Sequence, residues 1–360
     1  MNPITETTQD VGVIFSRTIA NVRPYNSLSA GNSIALPLDK TEPPIPYRMS
    51  VQVDSSAIER YPDPRALQST FAKRFGVTPN NVLVTAGADE ALDRACRTFL
   101  AGENAELVTI APTFEMIARY ASLAGATVRA ANWMDNEFPL DAIIALHSER
   151  TRLIVLVSPN NPTGAVIPTR AIVALATRFR NTPIVLDFAY VEFASIDPTL
   201  ELRQYSNIII VRTLSKAYGA PGLRVGCAIG EAPILERLLV AGGPYPVSSL
   251  SIAIGCTILS EEQPAIENYV KRIQFERTTF SEMLTKLGCA FVRSEANFVL
   301  IRAQNDSYFD QVVSSFGINT RAFANDPQLT GMRRITMPGN AEAFERLTNA
   351  ITIALNTTQQ

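Results

Sequence analysis

The sequence is poor in histidine, in cysteine and in net charge, and each scarcity removes a class of chemistry. Its 360 residues hold one histidine, His147, in "DAIIALHSERT". A Ser-His-Asp triad or a multi-histidine metal site would have to use it, and its neighbours give no support; the local pattern places it on a surface helix. The four cysteines, Cys96, Cys227, Cys256 and Cys289, lie far apart, with no CxxC pair and no metal-ligand spacing. A disulfide framework is not expected at this size, and a reduced, cytoplasmic setting with no metal fits better. Lys and Arg number 32 against 34 Asp and Glu, so the formal net charge is −2, and no long basic run is present. That argues against a polyanion binder and against nucleic acid as a partner. The start, "MNPITETTQDVGVIF", lacks the basic region and apolar core of a secretory signal. No apolar stretch is long enough to cross a bilayer, so no membrane partner is expected.

Hydrophobic residues make up 46% of the chain and charged ones 18%, enough for a sizeable core. Residues 1–48 are irregular, with "PPIP" at 43–46 as a breaker, and read as an arm. Helical patterns over Arg65–Phe75, Ala88–Leu100, Phe114–Ala124, Asp141–Glu149 and Thr169–Phe179 alternate with short apolar runs. Those runs are "ELVTIAP" (106–112), "LIVLVSP" (153–159), "PIVLDFA" (183–189), "NIIIVRT" (207–213) and "RVGCAIG" (224–230). They are apolar on both faces, as strands of a helix-covered parallel sheet must be, and the alternation predicts an α/β doubly wound layer. After residue 262 the rhythm changes. A long helical stretch, the short strands "NFVLIRA", "GINTRAF" and "MRRITMP", and a final helix over Asn340–Leu355 indicate a smaller α+β unit. The expected division is an arm at 1–48, a large domain at 49–262 and a small domain at 263–360.

Ligands of open α/β sheets bind beyond the carboxyl ends of the strands. At those ends stand Pro112-Thr113-Phe114, "SPNNPTG" (158–164), Asp187 with Tyr190 three residues on, and Leu214-Ser215-Lys216; upstream, "VLVTAGADEAL" passes through Gly87 into a helix. Each alone could be a turn, a cap or a solvated side chain. Together they offer an amine, a carboxylate, an amide, a phenol, an arginine and a helix N-terminus on one sheet edge. Pyridoxal 5′-phosphate needs all of them. Its aldehyde requires a lysine amine, Lys216, for a Schiff base. Its ring nitrogen requires an anion, Asp187, to keep it protonated so that the ring withdraws electrons. The ring oxygen requires donors, Asn161 and Tyr190. The phosphate requires N–H groups at a helix N-terminus, Gly87-Ala88-Asp89, and the charged fork of Arg224. Phe114 can stack on the ring.

The chain resembles a fold-type I pyridoxal-phosphate enzyme, and within that group the histidinol-phosphate aminotransferase-like branch of the class I/II aminotransferases. The matching stretches are "YPDP" (61–64), "TAGADEAL" (85–92), "APTF" (111–114), "SPNNPTG" (158–164), "LDFAYVEF" (186–193), "TLSKAYGAPGLRVG" (213–226), "ANFVLIR" (296–302) and "RRITMPG" (333–339). The resemblance implies a large domain with a mostly parallel central sheet flanked by helices, a smaller α+β domain, and transamination of an α-amino acid or amino-acid-derived amine. It implies Lys216 as the Schiff-base lysine, Asp187 on the ring nitrogen, and Asn161 and Tyr190 on the ring oxygen. Ala88, Asp89, Thr213, Ser215 and Arg224 would hold the phosphate. Tyr61 would reach the cofactor phosphate of a second subunit in a homodimer with shared sites. Arg334 would grip the substrate carboxylate, with Arg333 on the opposite face of its strand. Arg321 would meet the distal part of the substrate, and Tyr25 would stand near its entrance.

One segment departs from the family pattern. Members carry Asn-Glu-Asn-Pro before the YPDP-like stretch, whereas this chain has "LDKTEPPIPY" (38–47), with Lys40, Thr41 and Glu42 near the positions of the missing residues. The segment borders the substrate pocket in the family, so the substrate need not be histidinol phosphate. An arginine-cyclising relative resembling capreomycidine synthase is an alternative, with Glu42 or Asp39 facing a cationic side chain. A ligand sensor fused to a DNA-binding module is a third. The arm before Tyr61 is short and proline-rich for such a module, and the charge is wrong.

Overall fold

The computed structural model describes residues 16, 18–19, 35–42, 44, 47 and 55–356, apart from 103, 135–136, 304 and 324–325. In chain order the strands are β1 (Leu36–Pro37), β2 (Val82–Thr85), β3 (Glu106–Ala111), β4 (Thr127–Asn132), β5 (Thr151–Val157), β6 (Ile184–Asp187), β7 (Ile208–Thr213), β8 (Gly226–Ile229), β9 (Phe291–Val292), β10 (Phe298–Arg302), β11 (Ile318–Asn319), β12 (Arg321–Ala322) and β13 (Met332–Thr336). Seven form one sheet in the order β2–β8–β7–β6–β5–β3–β4.

Alternate residues of these strands feed two separate apolar layers, as a period of two dictates. Val108, Ile110, Ile154, Leu156, Ile184, Leu186, Ile208 and Ile210 join one. Leu107, Leu153, Val155, Val157, Val185, Ile209 and Val211 join the other. The first layer is covered by Leu67, Phe71 and Phe75 of the helix Arg65–Phe75 and by Ile172 and Leu175 of the helix Thr169–Arg178. The second is covered by Ala91, Leu92, Ala95, Cys96 and Leu100 of the helix Gly87–Leu100. The apolar runs of the sequence are therefore strands buried on both sides.

Two expectations change. "RVGCAIG" reads as one more parallel strand, yet β8 runs antiparallel to both β7 and β2. The loop 214–225 contains one 3-10 turn, Pro221–Leu223, and no crossover helix, so the chain turns back on itself. The helix expected over Asp141–Glu149 is Leu140–Leu146, which leaves His147 just past its end. His147 stacks on Phe179 with ring centroids 3.9 Å apart, and its Nε2 lies 3.0 Å from Thr182 Oγ1. It is a half-buried packing residue. Strand β4, at the sheet edge, had no apolar run to announce it; its exposed and half-buried residues alternate with little pattern.

A second sheet, β12–β13–β10–β9, is antiparallel throughout. The helices Gln263–Lys286 and Ala341–Asn356 contribute Phe280, Leu284, Leu347 and Ile351 to the apolar layer that also takes Phe298 and Ile335 of this sheet. Early chain joins late chain here. Strand β1 pairs in parallel with β11. The Leu38 N–H donates to Asn319 O at 2.9 Å, while Thr336 N and Oγ1 both donate to Leu38 O, at 3.1 and 2.8 Å. These bonds fix residues 39–41 beside Arg334 of β13. No helix among the described residues is long and apolar enough to cross a membrane.

Candidate active site

The parallel strands β3, β5, β6 and β7 end on the same edge of the large sheet, and the loops leaving them carry the chemistry. Strand β6 ends in Asp187, which is 4% exposed. Its Oδ1 accepts the Ala189 N–H at 3.0 Å. Burial pushes its carboxyl up to about 7; the Asp89 carboxylate adds to the rise, while the Ala189 N–H and Lys216 oppose it. A buried acid this far above its usual range needs a cation to ionise fully at neutral pH.

Lys216 sits three residues beyond β7, in the loop that turns back to β8. Its Nζ lies 2.5 Å from Thr41 Oγ1 and 3.4 Å from the carbonyl oxygens of Lys40 and Thr41. The same nitrogen stands 5.5 Å from the centre of the Tyr190 ring. Tyr190 is held edge-on against Phe298, and its OH is 3.1 Å from Thr41 Oγ1.

Thr213, Ser215 and Arg224 form a chain of polar contacts. Thr213 Oγ1 donates to Ser215 Oγ at 2.9 Å, and Arg224 Nη1 donates to the same Ser215 oxygen at 3.3 Å. Arg224 Nη2 reaches Asp89 Oδ2 at 3.0 Å and Ala86 O at 3.4 Å, at the start of the helix Gly87–Leu100. The backbone is shaped for this approach. Gly87 has φ +79°, and a Cβ there would stand 2.6 Å from Arg224 Nη2; a Cβ on Gly226 would stand 2.7 Å from Gly87 C and 2.9 Å from Ala88 N. Arg224 itself adopts φ +51°. A left-handed arginine beside a left-handed glycine is the kind of strain that surrounding contacts must hold in place. The Asp89 side chain, expected to contribute only its N–H, also pairs with Arg224.

The other face of the cleft is built by β13 and the segment 38–41. Arg334 is 6% exposed; Nη1 donates to Asn161 Oδ1 and Nη2 to Asp39 O, both at 2.6 Å, and its guanidinium lies 5.2 Å from the Phe298 ring centre. Arg333 turns the other way, as strand alternation requires, and pairs with Asp310 at 2.9 and 2.8 Å. Arg321 of β12 is in register with Arg334, and its Nη2 lies 3.4 Å from Glu115 Oε1. Phe114 is half-buried at the N-cap of the helix Glu115–Leu123. Glu42, the residue after Thr41, is exposed. The Oδ1 of Asp39 is buried without a hydrogen-bond partner. Tyr61 is 78% exposed and stacks on Tyr245 with centroids 4.4 Å apart, outside the hydrogen-bonded cluster. Tyr25 lies outside the described residues.

Two residues escaped the sequence reading. Asn160, fully buried, ties loops together: its Nδ2 donates to Pro112 O and Thr163 Oγ1, both at 3.0 Å, and its Oδ1 accepts from Thr113 Oγ1 at 2.8 Å. Its neighbour Asn161 is thereby left to meet Arg334. The doubled asparagine was the available signal. Thr41 stands in the segment that departs from the family pattern, but its contacts with Lys216 and Tyr190, 175 and 149 residues away, are visible only in the fold.

The donor set fits pyridoxal phosphate. A dianionic phosphate matches Arg224, Ser215 and the helix N-terminus, which the absence of a Cβ at Gly87 lets come together. A cationic ring nitrogen matches Asp187, and a ring oxygen matches Tyr190 and Asn161.

Known proteins agree. The family model for aminotransferase class I and II matches residues 35–351. A histidinol-phosphate aminotransferase of Clostridium novyi (strain NT) is 29% identical over 342 residues, covering 92% of this chain and 95% of that protein. An aromatic amino acid aminotransferase of Cutibacterium acnes is 34% identical over 276 residues, covering 74% and 78%. The solved histidinol-phosphate aminotransferase of Sinorhizobium meliloti, in complex with pyridoxal-5′-phosphate, superposes with a TM-score of 0.80 at 22% identity, covering 96% of this chain and 98% of that one.

Proposed function

This chain belongs to the aminotransferase class I and II family, as a pyridoxal-phosphate-dependent aminotransferase of the histidinol-phosphate aminotransferase-like branch, and from that premise we propose how its residues divide the work. When bound, the cofactor supplies an aldehyde that condenses with amines and a ring that draws electrons from the substrate Cα. Lys216 is the covalent anchor. Its Nζ, when free, would take up a proton from the substrate Cα and return one. Asp187 is the anion that keeps the ring nitrogen protonated. Tyr190 and Asn161 donate to the ring oxygen, and Phe114 covers a ring face. Arg224, Thr213, Ser215 and the N–H groups of Gly87, Ala88 and Asp89 hold the phosphate.

Arg334 binds the substrate carboxylate by its fork, exchanging its contacts with Asn161 and Asp39 O for two charge-assisted bonds. Arg321, held near the cleft by Glu115, meets the distal group. The two relatives are named for chemically different substrates, which supports assigning specificity to this outer part of the site. Tyr61 is presented outward with Tyr245, and Ile58 nearby in sequence is 70% exposed; this supports a homodimer in which Tyr61 serves the cofactor of the second copy.

The observation that carries the reading is the convergence of Lys216, Asp187, Tyr190, Asn161 and Arg224 on one sheet edge. The relatives named above are aminotransferases and lend no support to an arginine-cyclising reaction. The test is to offer the purified holoenzyme a panel of amino acids and amines and to follow cofactor absorbance and product mass together. Keto-acid formation with conversion of the cofactor to its amine form supports the proposal. A cyclised product with an unchanged cofactor overturns it.

A further inference from the structure

We propose that Thr41 is a positioning residue for the reaction: its hydroxyl, with the carbonyls of Lys40 and Thr41, forms a seat that holds the Lys216 amine whenever that amine is free. The inference rests on the role given to Lys216 above and adds a residue to it.

The contacts come first. Lys216 Nζ is 2.5 Å from Thr41 Oγ1 and 3.4 Å from each of the two carbonyl oxygens. An ammonium carries three N–H donors on a tetrahedral nitrogen, and three oxygens face it here. Thr41 Oγ1 has an outlet for its own proton in Lys40 O at 2.6 Å, which leaves its lone pairs for the amine. The same oxygen stands 3.1 Å from Tyr190 OH. One hydroxyl thus touches both the proton carrier and the phenol assigned to the ring oxygen, and fixes their relative placement.

The backbone is the second observation. Thr41 is 1% exposed and adopts φ +58°, and it is one of three non-glycine residues in the left-handed region among those described. A β-branched residue is a poor choice for that region, where glycine or asparagine is at ease. Three residues before it, Leu38 is anchored to Asn319 and Thr336 on β11 and β13. Strain of this type gathers where a side chain must be aimed. A lysine side chain otherwise has many rotamers of similar energy, and a proton carrier that samples them all spends little time over the reacting carbon.

Three variants separate the hydroxyl from the backbone. T41V keeps the branched shape and removes the hydroxyl. T41G removes the hydroxyl and suits φ +58°. T41S keeps the hydroxyl. In holoenzyme the inference predicts that T41V and T41G lose about 100-fold in kcat, the scale of a misplaced catalytic group, with KM little changed. With an α-deuterated amino acid their isotope effect rises, because proton transfer becomes the slow step. In cofactor-free protein, peptide mass mapping after a brief pulse of an amine-acylating reagent shows Lys216 labelled several-fold faster in both variants. T41S restores the wild-type isotope effect and labelling rate. Wild-type values of both in T41V and T41G, while K216A abolishes turnover, overturn the seat and leave the role of Lys216 standing. Turnover that survives in K216A brings down the underlying reading itself.

Discussion

Replacing Asp187 by asparagine gives a response that runs in opposite directions with and without cofactor. In the cofactor-free protein the Asp187 carboxyl is raised from 3.8 to about 7 by burial. Below pH 3.8 both folded and unfolded chains hold this proton, and the group has no effect on stability. Above that, the folded chain keeps a proton that the unfolded chain has lost, so stability falls as pH rises, until the folded carboxyl ionises near 7. Each pH unit in this window costs about 1.4 kcal/mol, so the passage from about pH 5 to about pH 8 removes about 3 kcal/mol. The asparagine side chain would keep the carbonyl that accepts the Ala189 N–H and lacks the titration. Urea unfolding of the two cofactor-free proteins at about pH 5 and about pH 8 should therefore show D187N gaining about 3 kcal/mol on wild type across the interval. With cofactor the order reverses: wild type gains the ion pair with the ring nitrogen, and D187N binds the cofactor more weakly by equilibrium dialysis. Parallel pH dependences in the cofactor-free proteins would refute the buried-acid argument.

Glycine at position 87 is required by conformation and by space, so G87A should strain the backbone and push Arg224 aside. A cost of about 1–3 kcal/mol raises the cofactor dissociation constant roughly 5- to 150-fold; an unchanged constant would remove the phosphate cradle from that place. The adjacent arginines of β13 should separate cleanly. R334M lowers kcat/KM for the amino donor by about 10- to 100-fold, as expected for losing bonds to a charged group, while R333M lowers the melting temperature through Asp310 and leaves KM alone. Equal effects of the two on KM would contradict the assignment. Arg212, 2% exposed, lies 2.7 Å from Glu192 and 2.8 Å from Asp197. R212M strands Glu192 in the interior and should lose about 3–5 kcal/mol in urea unfolding; a loss under about 1 kcal/mol would mean that Glu192 is not ionised.

What the sequence disclosed follows from where each residue sits. Strands β5, β6 and β7 are buried on both faces, so they appear as unbroken apolar runs, and their last residues mark the site edge. Lys216, Asp187 and Asn161 were legible for that reason. Strand direction is not written in a strand's composition; β8 runs antiparallel because no crossover helix separates it from β7. The edge strand β4 carries exposed and half-buried residues on both faces and loses the apolar signature. Arg333 and Arg334 were separable in advance, because a period of two admits one of them to the cleft. Thr41 was legible only as a departure from the family pattern: its positive φ and its contacts across 175 and 149 residues leave no mark on residue type.

The central claim is that the cofactor's aldehyde bonds to one amine, that of Lys216. Reduction of the holoenzyme with borohydride, followed by digestion and peptide mass mapping, measures it directly. The account predicts a pyridoxyl phosphate mass on the peptide that contains Lys216 and on no other. Label on another lysine, or none on this one, would contradict it.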